Sequence, residues 1–287
     1  MARMEPFMFM AALISLGVSA VFYLWYAGRM RRLARRGVVA GGQAAPGEAL
    51  LVWEPGRFAT MMAILGLVFL TLSMTFRWVA TGHGPFSNMY EYSQAWSWGI
   101  MVALLYFQRR YSFKVLGALV APVAVAFLIY AYTLPSRALP LVPALQQSLL
   151  LTVHVAVAMM AYGTFAIAFG AAILYLVQRG GRVGWLPSSG MLDELGYRAI
   201  IIGFPLMTLT IVLGALWADI AWGRYWGWDP KETASLVAWL IYGGYLHARL
   251  VAGWRGTRSS ILLLLGFAAV LFTYFGNYFL GGLHAYQ

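Results

Sequence analysis

Residues 149–177 read LLLTVHVAVAMMAYGTFAIAFGAAILYLV, twenty-nine residues without a single charge. A helix crosses the apolar part of a bilayer in about 20 residues, so this run is long enough to span, with tilt or overhang to spare. Working outward, similar stretches occur at roughly 7–27, 59–79, 88–108, 115–134, 197–218, 233–252 and 259–279. Hydrophobic residues make up 62% of the 287-residue chain and charged residues only 10%. An ordinary soluble protein carries about 25% charged residues, and nine acids cannot solvate a surface of this size. Disorder is excluded by the same composition, because disordered chains are polar and poor in aromatics. The expectation is an all-α polytopic membrane protein of eight transmembrane helices, forming a single membrane domain over 1–287.

The first span has Arg3 before it and five arginines after it, the wrong polarity for a cleaved signal peptide. The connections alternate in charge. Arg29, Arg31, Arg32, Arg35, Arg36, Arg57, Arg109, Arg110, Lys114, Arg179, Arg182, Arg198, Arg249, Arg255 and Arg258 fall on one side. Arg3, Arg77, Arg137, Arg224 and Lys231 fall on the other. By the positive-inside rule the first set is cytoplasmic, which puts both termini outside the cell. The same mapping removes nucleic acid as a partner, because the net charge of +11 forms no continuous basic face. Residues 38–57 read as a flexible cytoplasmic loop. The start of the third span, Asn88-Met-Tyr-Glu-Tyr-Ser-Gln94, is too polar for lipid and is expected against other helices or near the outer surface.

The outer side gathers the chemistry. Between spans 6 and 7, over 217–232, four tryptophans and one tyrosine fall within twelve residues, Trp217 to Trp228. An aromatic belt at the membrane interface is the plain alternative, but belt residues scatter around helix ends, whereas these share one segment with glycines. Asp229 before Pro230 suits the cap and first turn of span 7. Stacked indoles fit a large planar apolar ligand, with Arg224 and Lys231 for anionic groups on its rim. Haem has that shape, and its iron takes axial ligands, commonly histidine.

Only four histidines are present. His154 lies about 8 Å below the outer end of span 5, at 1.5 Å per residue. His284 lies just beyond span 8, also outside, so these two can meet beside the Trp-rich segment and supply both axial positions. His247 is about 21 Å along span 7, in the inner half of the membrane, with Gly243 one turn before it leaving room for a second, inner haem position. His83 can replace either outer histidine, although its Gly-His-Gly-Pro setting reads as a turn. There are no cysteines, so the chain has no disulfide, no thiol relay and no CxxCH haem attachment of its own.

Trp222-Gly-Arg-Tyr-Trp226-Gly-Trp228-Asp229-Pro-Lys-Glu-Thr233 resembles the tryptophan-rich "WWD" signature of haem-handling membrane proteins, which include CcmC, CcmF and CcsA (also called ResC). Gly82-His83-Gly-Pro-Phe-Ser-Asn88-Met-Tyr90-Glu91 is similar to a segment of the CcsA family, and length and span count favour CcsA over the shorter CcmC. The resemblance covers about 60–287. It implies that His154 and His284 ligate haem iron, that His247 is the intramembrane histidine associated with haem entry, and that Trp222, Trp226, Trp228 and Asp229 belong to the haem platform. It further implies a role in cytochrome c synthesis at the outer face of a bacterial plasma membrane. There haem b is presented to the CxxCH segment of apocytochrome c, with a CcsB (ResB) membrane partner and thiols reduced elsewhere. The chain would then be the haem-presenting half of a haem lyase. The competing expectations are a CcmC-like protein loading haem onto a chaperone, a permease for another solute with Glu91 as its main intramembrane charge, and a structural subunit with an aromatic belt.

Overall fold

Eight long helices make up the described part of the chain. They are α1 (Glu5–Arg35), α2 (Ala49–Thr81), α3 (Met89–Tyr111), α4 (Gly117–Thr133), α5 (Ser148–Gln178), α6 (Ser189–Trp222), α7 (Pro230–Leu250) and α8 (Thr257–Leu280). The structure, a computed structural model, describes residues 3–37, 39–40, 43–44, 49–111, 113–137, 148–178, 180–181 and 183–280. A 3-10 turn, Lys114–Leu116, leads into α4, and two-residue strands β1 (Val39–Ala40) and β2 (Gln43–Ala44) pair antiparallel after α1.

Six of the helices, α1, α2, α4, α5, α6 and α8, are long and apolar enough to cross a membrane. α3 and α7 fall outside that group for a visible reason. α3 buries eight consecutive residues, Tyr90 to Ser97, among them Glu91, Ser93, Gln94 and Ser97. Its polar first turns therefore face protein, where Glu91, Ser93 and Gln94 find hydrogen-bond partners. α7 carries Lys231, Glu232, His247 and Arg249.

Several boundaries move from the sequence expectation. α2 starts at Ala49, inside the stretch read as a loop over 38–57. α6 continues to Trp222, so the first six residues of the 217–232 segment are helical, and the non-helical connection is only 223–229. α6 also starts at Ser189, eight residues before the expected 197. Its polar start is stabilised from outside the helix. Arg249 donates to Asp193 at 2.8 Å, and both side chains are nearly sealed from solvent. The Gly256 amide also reaches Asp193, at 2.9 Å.

Close packing depends on small residues. α1 runs along α2 and α4, α5 along α3 and α6, and α8 along α5 and α7. Where α3 crosses α5, a Cβ on Gly99 would overlap the Met159 carbonyl, and one on Gly163 would overlap the Gly99 carbonyl. Apolar tails offer helices in lipid no hydrophobic drive to associate, so backbone approach of this kind supplies the van der Waals contact. An aromatic cluster fills the centre: Trp96 lies 4.7 Å from Phe127 and 5.0 Å from both Tyr162 and Tyr274.

One end of the bundle collects the starts of α1, α3, α5 and α7 and the ends of α2 and α8. Tyr90 donates to Glu5, Ser93 meets the Tyr274 hydroxyl, and the Lys231 ammonium sits 4.4 Å above the Tyr92 ring. The candidate site is at this end.

Candidate functional site

His154 sits nearly two turns into α5, partly buried against α6. Its Nδ1 lies 2.9 Å from the Thr210 carbonyl oxygen. A carbonyl only accepts, so Nδ1 carries the proton and Nε2 holds the ring's lone pair. A backbone carbonyl fixing one nitrogen of a histidine is the usual way to aim the other at a metal. Gly214 gives the ring its place, because a Cβ there would stand 2.7 Å from His154 Cε1. Thr210, Gly214 and Trp217 are spaced i, i+4 and i+7, so they share the face of α6 turned toward α5. Trp217, nearly fully buried, continues this face and meets Trp222 edge-on at 4.7 Å.

The connection after α6 turns at Gly223, whose left-handed φ of 70° ends the helix in the manner that favours glycine. Arg224 folds back along Gly227, where a Cβ would come within 2.8 Å of its Nε. Trp226 and Trp228 stand perpendicular with ring centres 5.8 Å apart. The Trp226 indole N–H is buried and has no hydrogen-bond partner among the described residues. Trp228 is 70% exposed and holds a φ of +55°. That backbone region costs a non-glycine residue roughly 1–3 kcal/mol and persists only when neighbours impose it.

The neighbours are Asp229, Glu232 and Thr233. Asp229 caps α7 and accepts from the Lys231 amide at 2.9 Å. Glu232 reaches back in a capping box, its Oε2 accepting from the Asp229 amide at 3.1 Å and the Gly227 amide at 2.8 Å. The Thr233 hydroxyl donates to the Trp228 carbonyl at 3.4 Å. The Trp-Asp-Pro-Lys-Glu-Thr run thus encodes its own support: acids and a hydroxyl hold the backbone, and the Trp228 indole is left to the surface.

The remaining sequence candidates are spread out. His83 lies in the loop before α3, its Nδ1 3.0 Å from the Gly84 carbonyl. Gly84 touches Thr152, so this loop rests on the first turns of α5, close to His154 in sequence. Lys231 is turned onto Tyr92. His247 is exposed in the last turn of α7, sixteen residues beyond Lys231, or about 24 Å along the helix. His284 lies outside the described residues.

The structure thus brings His154 of α5 against the face of α6 that carries Trp217, which meets Trp222 next to the loop of Trp226 and Trp228, and separates His247 from them. Trp217 entered the sequence reading only as the first tryptophan of the 217–232 segment, and Gly214 and Glu232 were not singled out there. The Asp-x-x-Glu spacing of 229 and 232 was the available signal for Glu232.

A family model described as cytochrome C assembly protein matches residues 86–284. The chain is 38% identical over 251 residues to the cytochrome c biogenesis protein CcsA of Guillardia theta, covering 78% of this chain and 83% of that one. It is 36% identical over 258 residues to CcsA of Prochlorococcus marinus strain MIT 9312, with 79% and 83% covered. With CcsA of Chlamydomonas reinhardtii the figures are 39% over 238 residues, 79% of this chain and 67% of that one. Among solved structures, the cytochrome c heme lyase CcmF superposes with a TM-score of 0.65 at 19% identity, covering 93% of this chain and 46% of that chain. This chain thus spans about half of CcmF, and the likeness concerns the fold.

Proposed function

Because the chain belongs to the cytochrome c assembly protein family, among its CcsA cytochrome c biogenesis proteins, we propose that it holds haem b at the outer face of a bacterial plasma membrane. There it presents haem for attachment to the CxxCH segment of apocytochrome c. All eight helices cross the bilayer in this reading, α3 and α7 shielded by their neighbours, with both termini outside. One observation carries the proposal: His154, with its tautomer set by Thr210, stands beside a tryptophan array that leaves a buried indole N–H without a partner among the described residues.

Each residue's work follows from its setting. His154 Nε2 offers a lone pair to iron, and His284 supplies the second axial ligand. Trp217 and Trp222 form an apolar wall, Trp226 adds a donor, and Trp228 presents an exposed ring at the rim. Arg224 meets an anionic rim group, and Lys231, on Tyr92, adds positive potential behind it. His83 borders the site from the loop before α3. His247, near the inner end, takes haem before the outer site does. Asp229 and Glu232 serve by holding the loop.

Haem, the cargo, supplies two vinyl groups. A cysteine thiol adds across each: the S–C bond forms at one vinyl carbon and the thiol hydrogen ends on the other, with no net oxidation. The chain contributes position and exclusion of water rather than an acid or a nucleophile. Having no cysteine, it relies on a separate reducing system for the substrate thiols. A CcsB-type membrane protein is the expected partner.

The test is production of a reporter apocytochrome c in a bacterium lacking its own maturation system, with this chain and a CcsB-type partner co-expressed. Covalent haem on the reporter, lost in Trp226→Ala and without the partner, supports the reading. Haem binding with no covalent product under any pairing would favour a CcmC-like loader. A protein that binds no haem would favour the permease.

A further inference from the structure

Glu91 has no role in the haem reading above, yet it is among the most tightly held side chains in the molecule. It is 1% exposed, and both carboxylate oxygens are occupied. Oε1 accepts from Arg77 Nε at 2.7 Å. Oε2 accepts from the Ser87 amide at 2.7 Å and the Ser87 hydroxyl at 2.8 Å. Arg77 also donates to the Ser136 carbonyl at 2.6 Å, so the end of α2, the start of α3 and the segment after α4 meet at one guanidinium. Asn88 caps α3 by accepting from the Glu91 amide at 2.9 Å. A carboxylate so fully bonded is not an ion-path ligand. Its Oε2 fixes Ser87 of loop 82–88, and its Oε1 ties the start of α3 to Arg77 at the end of α2.

The other end of that loop presses on α5. Gly84 is buried against Thr152 with no space for a Cβ, and the Thr81 hydroxyl holds the His83 carbonyl at 3.2 Å. Thr152 and His154 share one turn of α5 on opposite flanks. On the far flank His154 is bonded to Thr210. The first turns of α5 are therefore gripped from two sides, by loop 82–88 and by α6.

We propose that Glu91 is a positioning residue: through Ser87 and Arg77 it clamps loop 82–88 onto Thr152 and so fixes where α5 carries His154. The haem consequence rests on the function proposed above, whereas the mechanical coupling does not. The Ser-Asn-x-Tyr-Glu run then encodes a clamp, as the Asp-Pro-Lys-Glu run encodes a cap.

The test uses the full chain purified in detergent, as wild type, Glu91→Gln, Gly84→Ala and Gly84→Ala/Thr152→Ala. Backbone hydrogen exchange is followed in haem-free protein, and haem content is read with and without added imidazole. Glu91→Gln removes the charge that Arg77 pairs with and one Oε2 acceptor geometry. Exchange at 83–88 and at 149–156 is expected to rise by about tenfold, with 189–198 unchanged. Gly84→Ala should produce the same rise without touching the ion pair, and Thr152→Ala in that background should reverse it. Haem content should fall in Glu91→Gln and return with imidazole, which replaces a misplaced ligand but does not repair a misfolded bundle. Faster exchange confined to 82–91, with 149–156 as in wild type, overturns the coupling. A wild type that binds no haem, with the exchange effects intact, overturns the haem reading and leaves the clamp standing.

Discussion

Truncating Glu232 to alanine should release the tryptophan loop without unfolding the bundle. Glu232 Oε2 holds the amides of Gly227 and Asp229 at 2.8 and 3.1 Å. Hydrogen bonds to a charged acceptor contribute about 1.5–3 kcal/mol each, and because Glu232 is partly exposed the pair is set near the low end, about 2–3 kcal/mol in total. The positive φ of Trp228 costs roughly 1–3 kcal/mol. The hydrogen bonds offset that cost, so removing Glu232 shifts the loop away from the strained arrangement by the roughly 2–3 kcal/mol they supply. If haem binding requires that arrangement, affinity falls by roughly 30- to 150-fold. Glu232→Gln keeps a carbonyl acceptor and should lose at most half of that in free energy. The assay is haem titration of purified protein by absorbance, alongside limited proteolysis of residues 223–229. Unchanged proteolysis with affinity within about twofold of wild type in Glu232→Ala would refute the reasoning.

Gly214→Val should drive the His154 ring off the Thr210 carbonyl and weaken haem binding by about tenfold or more, with a smaller effect on thermal stability, measured by titration and melting in detergent. Asp193→Ala leaves Arg249 buried with Glu194, at 3.4 Å, as its remaining carboxylate among the described residues and the Tyr197 ring below it; the loss should be about 3 kcal/mol, visible as a lower melting temperature. Gly163→Val should part α3 from α5 and cost about 3 kcal/mol or more, read as low folded yield. His247→Ala, at an exposed position, should change stability by less than about 0.5 kcal/mol, so any loss of haem content there reports on binding at the inner end.

The apolar run at 149–177 is legible to within one residue of α5, because lipid tolerates no polar interruption and the pattern needs no knowledge of neighbours. α6 is not. Its first turn looks polar until Arg249, 56 residues away, is seen to neutralise Asp193. Its last turn, Trp217–Trp222, reads as loop because aromatics and Asp219 dominate it, yet Trp217 packs inward along the helix. α3 shows the same difficulty, since partners such as Glu5 and Tyr274 come from the two ends of the chain. At the site, the cap at Asp229 follows from Asp-Pro alone. The tautomer of His154 does not, because Thr210 is 56 residues distant and contributes only its backbone.

The central claim is that His154 ligates haem iron beside the tryptophan array, and the visible spectrum of the detergent-purified full chain tests it most directly. Wild type should carry a Soret band that His154→Ala loses and added imidazole restores. A colourless wild type obtained in good yield, or a spectrum that His154→Ala leaves unaltered, would contradict it.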